Sequence, residues 1–258
     1  MPDPLILIPP SEGKAVGGAG AAWHPGSMAI DLDEQRLRVI AALRSAMRSN
    51  ATVRGKLLGV KGDALARATA ANRSIDESPT LPAAERFTGV LYDALDLASL
   101  PAAVRRRADR SVLIPSGVFG LLTPSDPIPD HRLKMSVVLG SLGRLSTWWR
   151  DSVSAAVAEQ SHGRTVWNLL PNEHAASVRL VGVPQYSVTF LEPGRAGNLV
   201  AVSHWNKLLK GELVRHVLRC PSAGPDDLLE WRHPSGFGLD RARTERFGEV
   251  TRLAFVKE

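Results

Sequence analysis

Pro4-Leu5-Ile6-Leu7-Ile8, followed at once by Pro9-Pro10, is the strongest fold signal in the sequence. A short, unbroken apolar run that ends at prolines is typical of a strand buried on both faces of a sheet, because proline cannot continue the ladder of backbone hydrogen bonds. We therefore predict a buried first strand that enters a loop. The run is too short for the core of a signal peptide or for a membrane span, which needs about 18 uncharged apolar residues. We expect a cytoplasmic protein without a membrane partner.

Strand-like and helix-like segments alternate along the rest of the chain. Helical spacing of apolar residues predicts helices over 31–49, 145–159 and 204–218. Short apolar or alternating runs predict strands over 111–114, 131–135, 166–170, 178–183, 186–190, 199–203 and 250–257. This order predicts a mixed α/β (α+β) fold. We expect one compact domain over residues 1–258, with a mixed sheet, flanking helices and a helical region inserted at about 31–75.

The composition limits the function. Of 258 residues, 44% are hydrophobic and 22% are charged, which is typical of a globular chain and excludes global disorder. A single cysteine, Cys220, excludes an internal disulfide framework and a multi-cysteine metal site. The net charge of +6 favours an anionic partner, either nucleic acid or a phosphorylated small molecule, and does not distinguish between them.

Lys56-Leu57-Leu58-Gly59-Val60-Lys61-Gly62-Asp63-Ala64-Leu65 has the pattern of a helix-hairpin-helix motif, in which an apolar–Gly–apolar turn joins two helices. In that motif the backbone N–H groups of the hairpin meet a nucleic-acid phosphate without reading bases. A plain turn between helices, with a glycine that ends the first one, explains the same pattern. The candidate DNA contacts are Lys56, Gly59, Lys61, Gly62 and Arg67.

Polar side chains follow the predicted strands or begin the helices after them. They are Ser11, Lys14, Ser116, Arg132, Asn168, Glu173 and Lys207. The carboxyl ends of strands in an α/β sheet meet at one crevice, so we predict a shared cleft. Its cations would attract a phosphate or another anion, and Lys14, Ser116 and Glu173 are the candidate catalytic groups.

Three of these residues also have a simpler structural interpretation. Lys14 is equally consistent with a solvated loop lysine. Arg132 is equally consistent with a structural salt bridge to Asp126 or Asp130. Glu173 has the position of a cap on the short helix that it would begin.

Metal and cofactor motifs are missing from the sequence. The seven histidines show no HxxxH or HxH spacing, so we expect no metal site. Segment 11–14 lacks the glycine-to-lysine spacing of a phosphate-binding P-loop. We therefore predict neither a nucleoside triphosphate site nor a cofactor.

Six segments, in order along the chain, resemble the motifs of one family. They are 9–14 (Pro-Pro-Ser-Glu-Gly-Lys), 87–92 (Phe-Thr-Gly-Val-Leu-Tyr), 116–126 (Ser-Gly-Val-Phe-Gly-Leu-Leu-Thr-Pro-Ser-Asp), 131–135 (His-Arg-Leu-Lys-Met), Asn168-Leu169 with Glu173, and Lys207 with Gly211. Their order and spacing resemble the YaaA family of peroxide stress proteins. The chain departs from the family pattern at Thr88, Lys134 and His174, where the family has a lysine, a glutamate and an aromatic residue.

The resemblance implies a cytoplasmic protein of the hydrogen peroxide stress response, which limits free iron and protects DNA and proteins. It also implies a helix-hairpin-helix, a positively charged cleft and binding to double-stranded DNA without sequence specificity. We expect the protein to act as a monomer. The alternative hypothesis, which comes from the crevice residues, is an enzyme that acts on a nucleotide or another phosphorylated small molecule.

Overall fold

The first apolar run forms an inner strand of the main sheet. In the computed structural model, which describes residues 2–194, 198–203, 205–220, 224 and 226–258, Leu5–Leu7 pairs in parallel with Val112–Ser116 on one side and Val166–Asn168 on the other. All of its side chains are buried. A strand with neighbours on both edges and cover on both faces needs apolar side chains throughout, which explains why the run does not alternate.

The strands form one large mixed sheet and one small pair. Their bounds are β1 Leu5–Leu7, β2 Leu81–Pro82, β3 Val112–Ser116, β4 Gly120–Leu122, β5 Pro127–Ile128, β6 Val166–Asn168, β7 Gln185–Pro193, β8 Leu199–Ala201, β9 Arg232–His233, β10 Phe237–Phe247 and β11 Val250–Lys257. The large sheet has the order β4-β3-β1-β6-β7-β11-β10-β9, with β8 paired to β7, and β2 pairs with β5. Strands β3, β1, β6, β7 and β11 run parallel, and β4, β8, β9 and β10 are antiparallel to their neighbours.

Helices cover the sheet and fill the region between β1 and β2. Their bounds are α1 Asp33–Ala46, α2 Ala51–Leu58, α3 Gly62–Arg73, α4 Ala83–Arg86, α5 Val90–Leu95, α6 Ala102–Ser111, α7 Leu145–Trp148, α8 Arg150–Gln160, α9 Asn172–Ala175 and α10 Asn206–Arg219. Among the described residues, no helix combines the length and apolarity that a membrane crossing requires.

The predicted mixed α/β fold is confirmed. Helices α1, α2 and α3 occupy the helical region expected at about 31–75. The helix predicted over 204–218 corresponds to α10, and the first residue of the predicted range, His204, lies outside the described residues. The last strand, predicted over 250–257, is β11.

The strand predicted over 131–135 does not form, because a side chain takes the place of a partner strand. The backbone N–H of Arg132 donates to Oδ1 of Asn72 (2.8 Å), and the Arg132 carbonyl accepts from Nδ2 of the same side chain (2.9 Å). Asn72 is fully buried on α3. The segment is therefore held against the helical region rather than added to a sheet.

The sequence also misplaced one strand and missed the longest one, besides the short strands β2, β4, β5 and β9. Residues 178–183 form no strand, and the backbone N–H of Arg179 donates instead to Oγ of Ser154 (2.8 Å). The long strand β10 was not predicted, because its sequence from Asp240 onward is polar on both faces. It extends as an exposed ribbon with β11, so it carries no alternating pattern.

Candidate functional site

The carboxyl ends of β1, β3 and β6 border a cleft with a volume of about 50 Å³. This is room for a few water molecules or one compact polar group. The predicted site residues along this cleft are Ser11, Lys14, Ser116, Arg132 and Glu173. They share it with side chains that the sequence did not select, among them Glu12, Phe87, His131, Lys134 and His174.

The loop that carries Lys14 is held by the buried side chain of Arg86. The Arg86 guanidinium donates hydrogen bonds to the carbonyl oxygens of Ala15 (2.5 Å) and Gly17 (2.7 Å), and from another edge to that of Ile128 (3.2 Å). A planar cation that satisfies several carbonyls at once fixes their relative positions. Arg86 therefore positions the Lys14 side of the cleft from behind.

The opposite wall is formed where β3 ends. Ser116 is 2% exposed, and its Oγ accepts a hydrogen bond from the backbone N–H of Phe119 (3.2 Å). Next to it, a Cβ on Gly117 would lie 2.6 Å from the carbonyl oxygen of Leu133. Only glycine allows this approach, which brings segment 131–134 into the cleft wall.

Arg132 forms its ion pair with Glu12, not with Asp126 or Asp130 as the sequence suggested. Arg132 Nη2 lies 2.7 Å from Oε2 of Glu12, and Lys134 Nζ lies 2.6 Å from Oε1 of the same carboxylate. The hydrogen bond from Lys134, followed by the charges of Lys134 and Arg132, lowers the pKa of Glu12 against the raising effect of partial burial. One carboxylate thus orients two cations of the cleft.

Lys14 has no carboxylate within ion-pair distance among the residues that the structure describes. Its Nζ donates to the carbonyl oxygen of Ser11 (3.1 Å) and lies 5.4 Å from the centre of the Phe87 ring. By surface area the residue is half-buried, whereas protein atoms enclose its ammonium group. This burial, reinforced by the charge of Arg132 and opposed by that of Asp130, lowers the pKa of Lys14 to about 8. A lysine of this kind is partly neutral near physiological pH.

His131 is the second titratable group of the cleft with a strongly shifted pKa. Burial, followed by the charge of Lys14, holds the pKa of His131 well below its usual range. Nδ1 lies 3.0 Å from the carbonyl oxygen of Pro129, which can only accept, so Nδ1 carries the hydrogen of the neutral ring. Nε2 is then left with a lone pair. The ring packs edge-on against Phe119 and Phe87, with centroid distances of 5.1 and 6.5 Å.

Glu173 does not cap the helix that begins after Pro171. The cap position is Pro171 itself, and no side-chain hydrogen bond closes the N-terminus of α9. Oε1 of Glu173 accepts a hydrogen bond from Oγ of Ser136 (2.6 Å) instead. Its neighbour His174 has a buried Nδ1 without a hydrogen-bond partner among the described residues, and burial lowers its pKa.

Two residues of the predicted cleft lie outside its lining. Asn168 ends β6, where its Nδ2 donates to Oε1 of Gln185 (3.2 Å) and its Oδ1 accepts from the N–H of Leu170 (3.3 Å). These contacts close the loop after β6. Lys207 is exposed on α10, close enough to His174 for its charge to depress the pKa of that histidine.

The predicted DNA contacts lie on two short helices joined by a turn. Gly59 ends α2 with φ of 64°, in the left-handed region that favours glycine. Lys61 precedes Gly62, the first residue of α3. The N–H groups of residues 62–64 have no backbone acceptor among the described residues. Lys56, Lys61 and Arg67 are exposed and form no ion pair within the described part of the chain.

The hairpin and the cleft are joined by segment 131–134. Nε of Arg132 donates to the carbonyl oxygen of Leu58 (3.0 Å) at the end of α2, and Cε of Lys134 lies 3.8 Å from the position of a Cβ on Gly59. The cations of the cleft therefore continue directly into those of the hairpin.

The residues that the sequence missed left partial signals. Glu12 lies inside the 9–14 motif, and Arg132 and Lys134 are two positions apart in the sequence, a spacing that would place both on one side of an extended segment. No signal identified His131, since a lone histidine carries no spacing. Within the described residues, no group of three or more histidine, cysteine or acidic side chains is placed to hold a metal ion.

These features define the class of protein. It is a mixed α+β sheet protein with a small cationic cleft at its parallel strand ends and a basic helix pair beside the cleft. Residues 5–243 match the family described as peroxide stress protein YaaA, and the chain belongs to that family. The resemblance found in the sequence motifs is thereby confirmed.

Relatives of similar length share most of the chain. A UPF0246 protein of Streptomyces coelicolor is 36% identical over 239 residues, which cover 92% of each protein. A UPF0246 protein of Corynebacterium glutamicum is 34% identical over 218 residues, which cover 82% of this chain and 83% of the relative. A UPF0246 protein of Cereibacter sphaeroides is 31% identical over 159 residues, which cover 59% and 62%.

Proposed function

We propose that this member of the peroxide stress family binds double-stranded DNA through the phosphate backbone, without reading sequence, as a cytoplasmic monomer. The observation that carries the proposal is the helix pair α2–α3, interpreted as a helix-hairpin-helix. The N–H groups of residues 62–64 at its turn have no backbone acceptor among the described residues, and Lys56, Lys61 and Gly62 line one shallow surface depression. Backbone N–H groups at a helix N-terminus, flanked by cations, bind a phosphate of any nucleotide.

The charge state of the hairpin supports backbone binding. Lys56, Lys61 and Arg67 have no acidic partner within the described residues, so no internal ion pair must break when DNA binds. Free cations of this kind exchange the counterions condensed on DNA, which drives association and makes it depend on salt.

Duplex binding as a function of salt tests this proposal. A fluorescent duplex of arbitrary sequence is titrated with the wild type, with Lys56→Ala/Lys61→Ala, and with Arg106→Ala/Arg219→Ala. The control removes two exposed arginines of α6 and α10 that have no ion pair among the described residues. Each lost phosphate contact should lower the slope of log affinity against log salt by about 0.9, so the hairpin variant should lose about two units of slope.

The control variant should lose much less, because its charges lie away from the hairpin. Equal losses for the two double variants would reduce the interaction to general attraction between a basic protein and DNA. Absence of binding by the wild type at about 50 mM salt, a concentration at which phosphate contacts are strong, would overturn the proposal.

A second candidate function is an enzyme that acts on a nucleotide or another phosphorylated small molecule. It is favoured by one observation: the cleft gathers Ser11, Lys14, Ser116, Arg132 and Glu173 around a space of about 50 Å³. A ligand that binds only the folded protein at 100 times its Kd stabilises it by about 2.7 kcal/mol. Thermal unfolding with inorganic phosphate and with nucleoside monophosphates, for the wild type and Arg132→Met, tests this function. Equal melting shifts for both proteins would exclude the cleft as the binding site.

A further inference from the structure

Lys14 differs from the other lysines of the protein in its surroundings. Of the seven lysines in the sequence, Lys14 and Lys134 line the cleft. Lys134 is tied to Glu12 at 2.6 Å, whereas the amine of Lys14 contacts only a backbone carbonyl at hydrogen-bond distance. Lys210 is also half-buried, but its Nζ donates to the carbonyl oxygen of Leu169, outside the cleft. Among the described residues, Lys14 is therefore the enclosed amine that faces a cavity without a carboxylate at ion-pair distance.

We propose that Lys14 is a nucleophilic lysine that forms an imine with an aldehyde bound in the cleft, and that the aldehyde carries a phosphate or a similar anionic group beside its carbonyl. This inference narrows the second candidate function to one reaction class and rests on the cleft as a ligand site. It does not depend on DNA binding by the hairpin.

The reaction needs an amine that is neutral at working pH. With a pKa of about 8, the neutral fraction of Lys14 at pH 7 is about 230 times that of an ordinary lysine, whose pKa is about 10.4. The charged groups that act on Lys14 are Asp130 and Glu12, which raise its pKa, and Arg132 and Arg86, which lower it. Burial outweighs the two carboxylates, so the shift originates in the enclosure of the amine.

The reaction also needs a group that takes up a proton beside the amine. His131 lines the same cleft, stays neutral and keeps the Nε2 lone pair free, because its Nδ1 hydrogen is directed to the Pro129 carbonyl. The charge of Lys14 contributes to the low pKa of His131, so the two groups are close enough to interact. A neutral imidazole in this position can accept the proton that the amine loses on attack.

The anionic part of the ligand is assigned to Arg132 and Lys134. Glu12 neutralises one of these two cations and fixes both in orientation. One net positive charge remains on this group of three side chains. A guanidinium held in place by a carboxylate and by the Leu58 carbonyl is preorganised for a phosphate oxygen.

The chemistry is balanced and requires no external oxidant or reductant. The lone pair of Lys14 Nζ forms a C–N bond with the aldehyde carbon as the C=O π pair moves to the oxygen. His131 Nε2 takes the proton that the nitrogen loses and returns it to this oxygen, so the carbinolamine forms and His131 is neutral again. The carbinolamine then loses its hydroxyl group as water, and the C=N bond of the imine forms. Hydrolysis reverses each step.

Borohydride trapping with a small aldehyde tests the proposal. The full-length protein is incubated with glycolaldehyde phosphate, or with glycolaldehyde as the uncharged counterpart, and sodium borohydride reduces any imine to a stable amine. Peptide mass mapping locates the adduct. The comparison uses the wild type, Lys14→Arg and, as a matched half-buried lysine, Lys210→Arg; far-ultraviolet circular dichroism checks that each variant folds.

The expected adduct lies on Lys14, forms at least tenfold faster with the phosphorylated aldehyde, persists in Lys210→Arg and disappears in Lys14→Arg. Its rate should rise up to about pH 8 and then level off, whereas ordinary lysines continue to gain reactivity to about pH 10.4. An adduct spread over exposed lysines, or equal rates with the two aldehydes, would overturn the proposal. Neither result bears on duplex binding, since no DNA is present.

Discussion

The α2–α3 hairpin and the cleft are neighbouring basic regions that hold their cations in opposite ways. In the hairpin, Lys56 and Lys61 are exposed and have no acidic partner within the described residues. In the cleft, Arg132 and Lys134 share the carboxylate of Glu12, and burial lowers the pKa of Lys14. The same charge therefore has two different environments in neighbouring regions of the protein.

The difference separates two kinds of partner. Free surface cations gain most from a dense array of phosphates, because each contact releases a counterion. Enclosed and paired cations gain little from such an array, because Glu12 already neutralises part of their charge. They can instead fix the orientation of a single small ligand. We therefore assign the phosphate backbone to the hairpin and a compact anion to the cleft.

Removal of Arg86 should have the largest effect on stability. Arg86→Met removes the donor to the carbonyl oxygens of Ala15, Gly17 and the buried Ile128, which should cost about 3 kcal/mol of unfolding free energy. Urea unfolding measures the loss. The exposed Arg106→Met is the control and should change stability by less than about 0.5 kcal/mol. Equal losses would show that Arg86 does not hold the loop of the cleft.

The pH dependence of stability should report on His131. Its pKa is well below the usual value in the folded protein and about 6.5 in the unfolded chain. Below pH 6.5 the unfolded chain therefore binds a proton that the folded protein does not, and the unfolding free energy falls by about 1.4 kcal/mol per pH unit from this residue. Above pH 6.5 the contribution is constant.

His131→Gln should reduce the slope of unfolding free energy against pH below pH 6.5, relative to the wild type. This holds whatever the effect of the substitution on stability at pH 7. His174, His216 and His233 also have lowered pKa values, so part of the slope should remain. An unchanged slope in the variant would mean that His131 titrates normally and is not enclosed.

The turn of the hairpin offers a smaller and more local perturbation. Gly59→Ala places a Cβ at φ of 64°, which should cost about 1 kcal/mol and weaken duplex binding if the turn is displaced. Gly59→Asn is the matched control, because asparagine tolerates the left-handed region better. Urea unfolding and duplex titration of both variants check this expectation. A larger loss for asparagine than for alanine would contradict it.

Glu12→Gln should have the smallest effect on stability. It removes the carboxylate that distinguishes the paired cations of the cleft from the free cations of the hairpin. Its pKa is lowered in the folded protein, so its contribution is present above the unfolded pKa and is lost as pH falls through the folded pKa. The side chain is 57% exposed, which limits the loss to less than about 1 kcal/mol at pH 7. The variant also frees Arg132 and Lys134, so inorganic phosphate should bind more tightly. The shift of the thermal unfolding midpoint with phosphate concentration measures this affinity. Weaker binding would show that Glu12 is needed to orient the two cations.

Local patterns in the sequence predicted much of the fold and part of the site. The unbroken run before Pro9 identified β1, and the glycine turn at Gly59 separated two helices. Because strands β1, β3 and β6 run in parallel, the residues after them were expected together, and Lys14, Ser116 and Glu173 share the cleft.

The remainder depends on contacts between distant segments, which no local pattern encodes. Asn72 takes the backbone bonds of Arg132, 60 positions away, and so prevents a strand at 131–135. Arg86 is an ordinary charged residue in sequence but is fully buried, because three loops converge on it. The acidic partner of Arg132 is Glu12, 120 positions away, rather than the nearby Asp130.

Hydrogen–deuterium exchange of the full-length protein, with and without a duplex of arbitrary sequence, tests the assignment of DNA to the hairpin most directly. The N–H groups of residues 62–64 have no backbone acceptor among the described residues and should exchange rapidly in the free protein. We predict that the duplex slows exchange over residues 59–65 and leaves residues 102–111 of α6, with their arginine cluster, unchanged. Protection of residues 102–111 with no change over residues 59–65 would contradict the assignment.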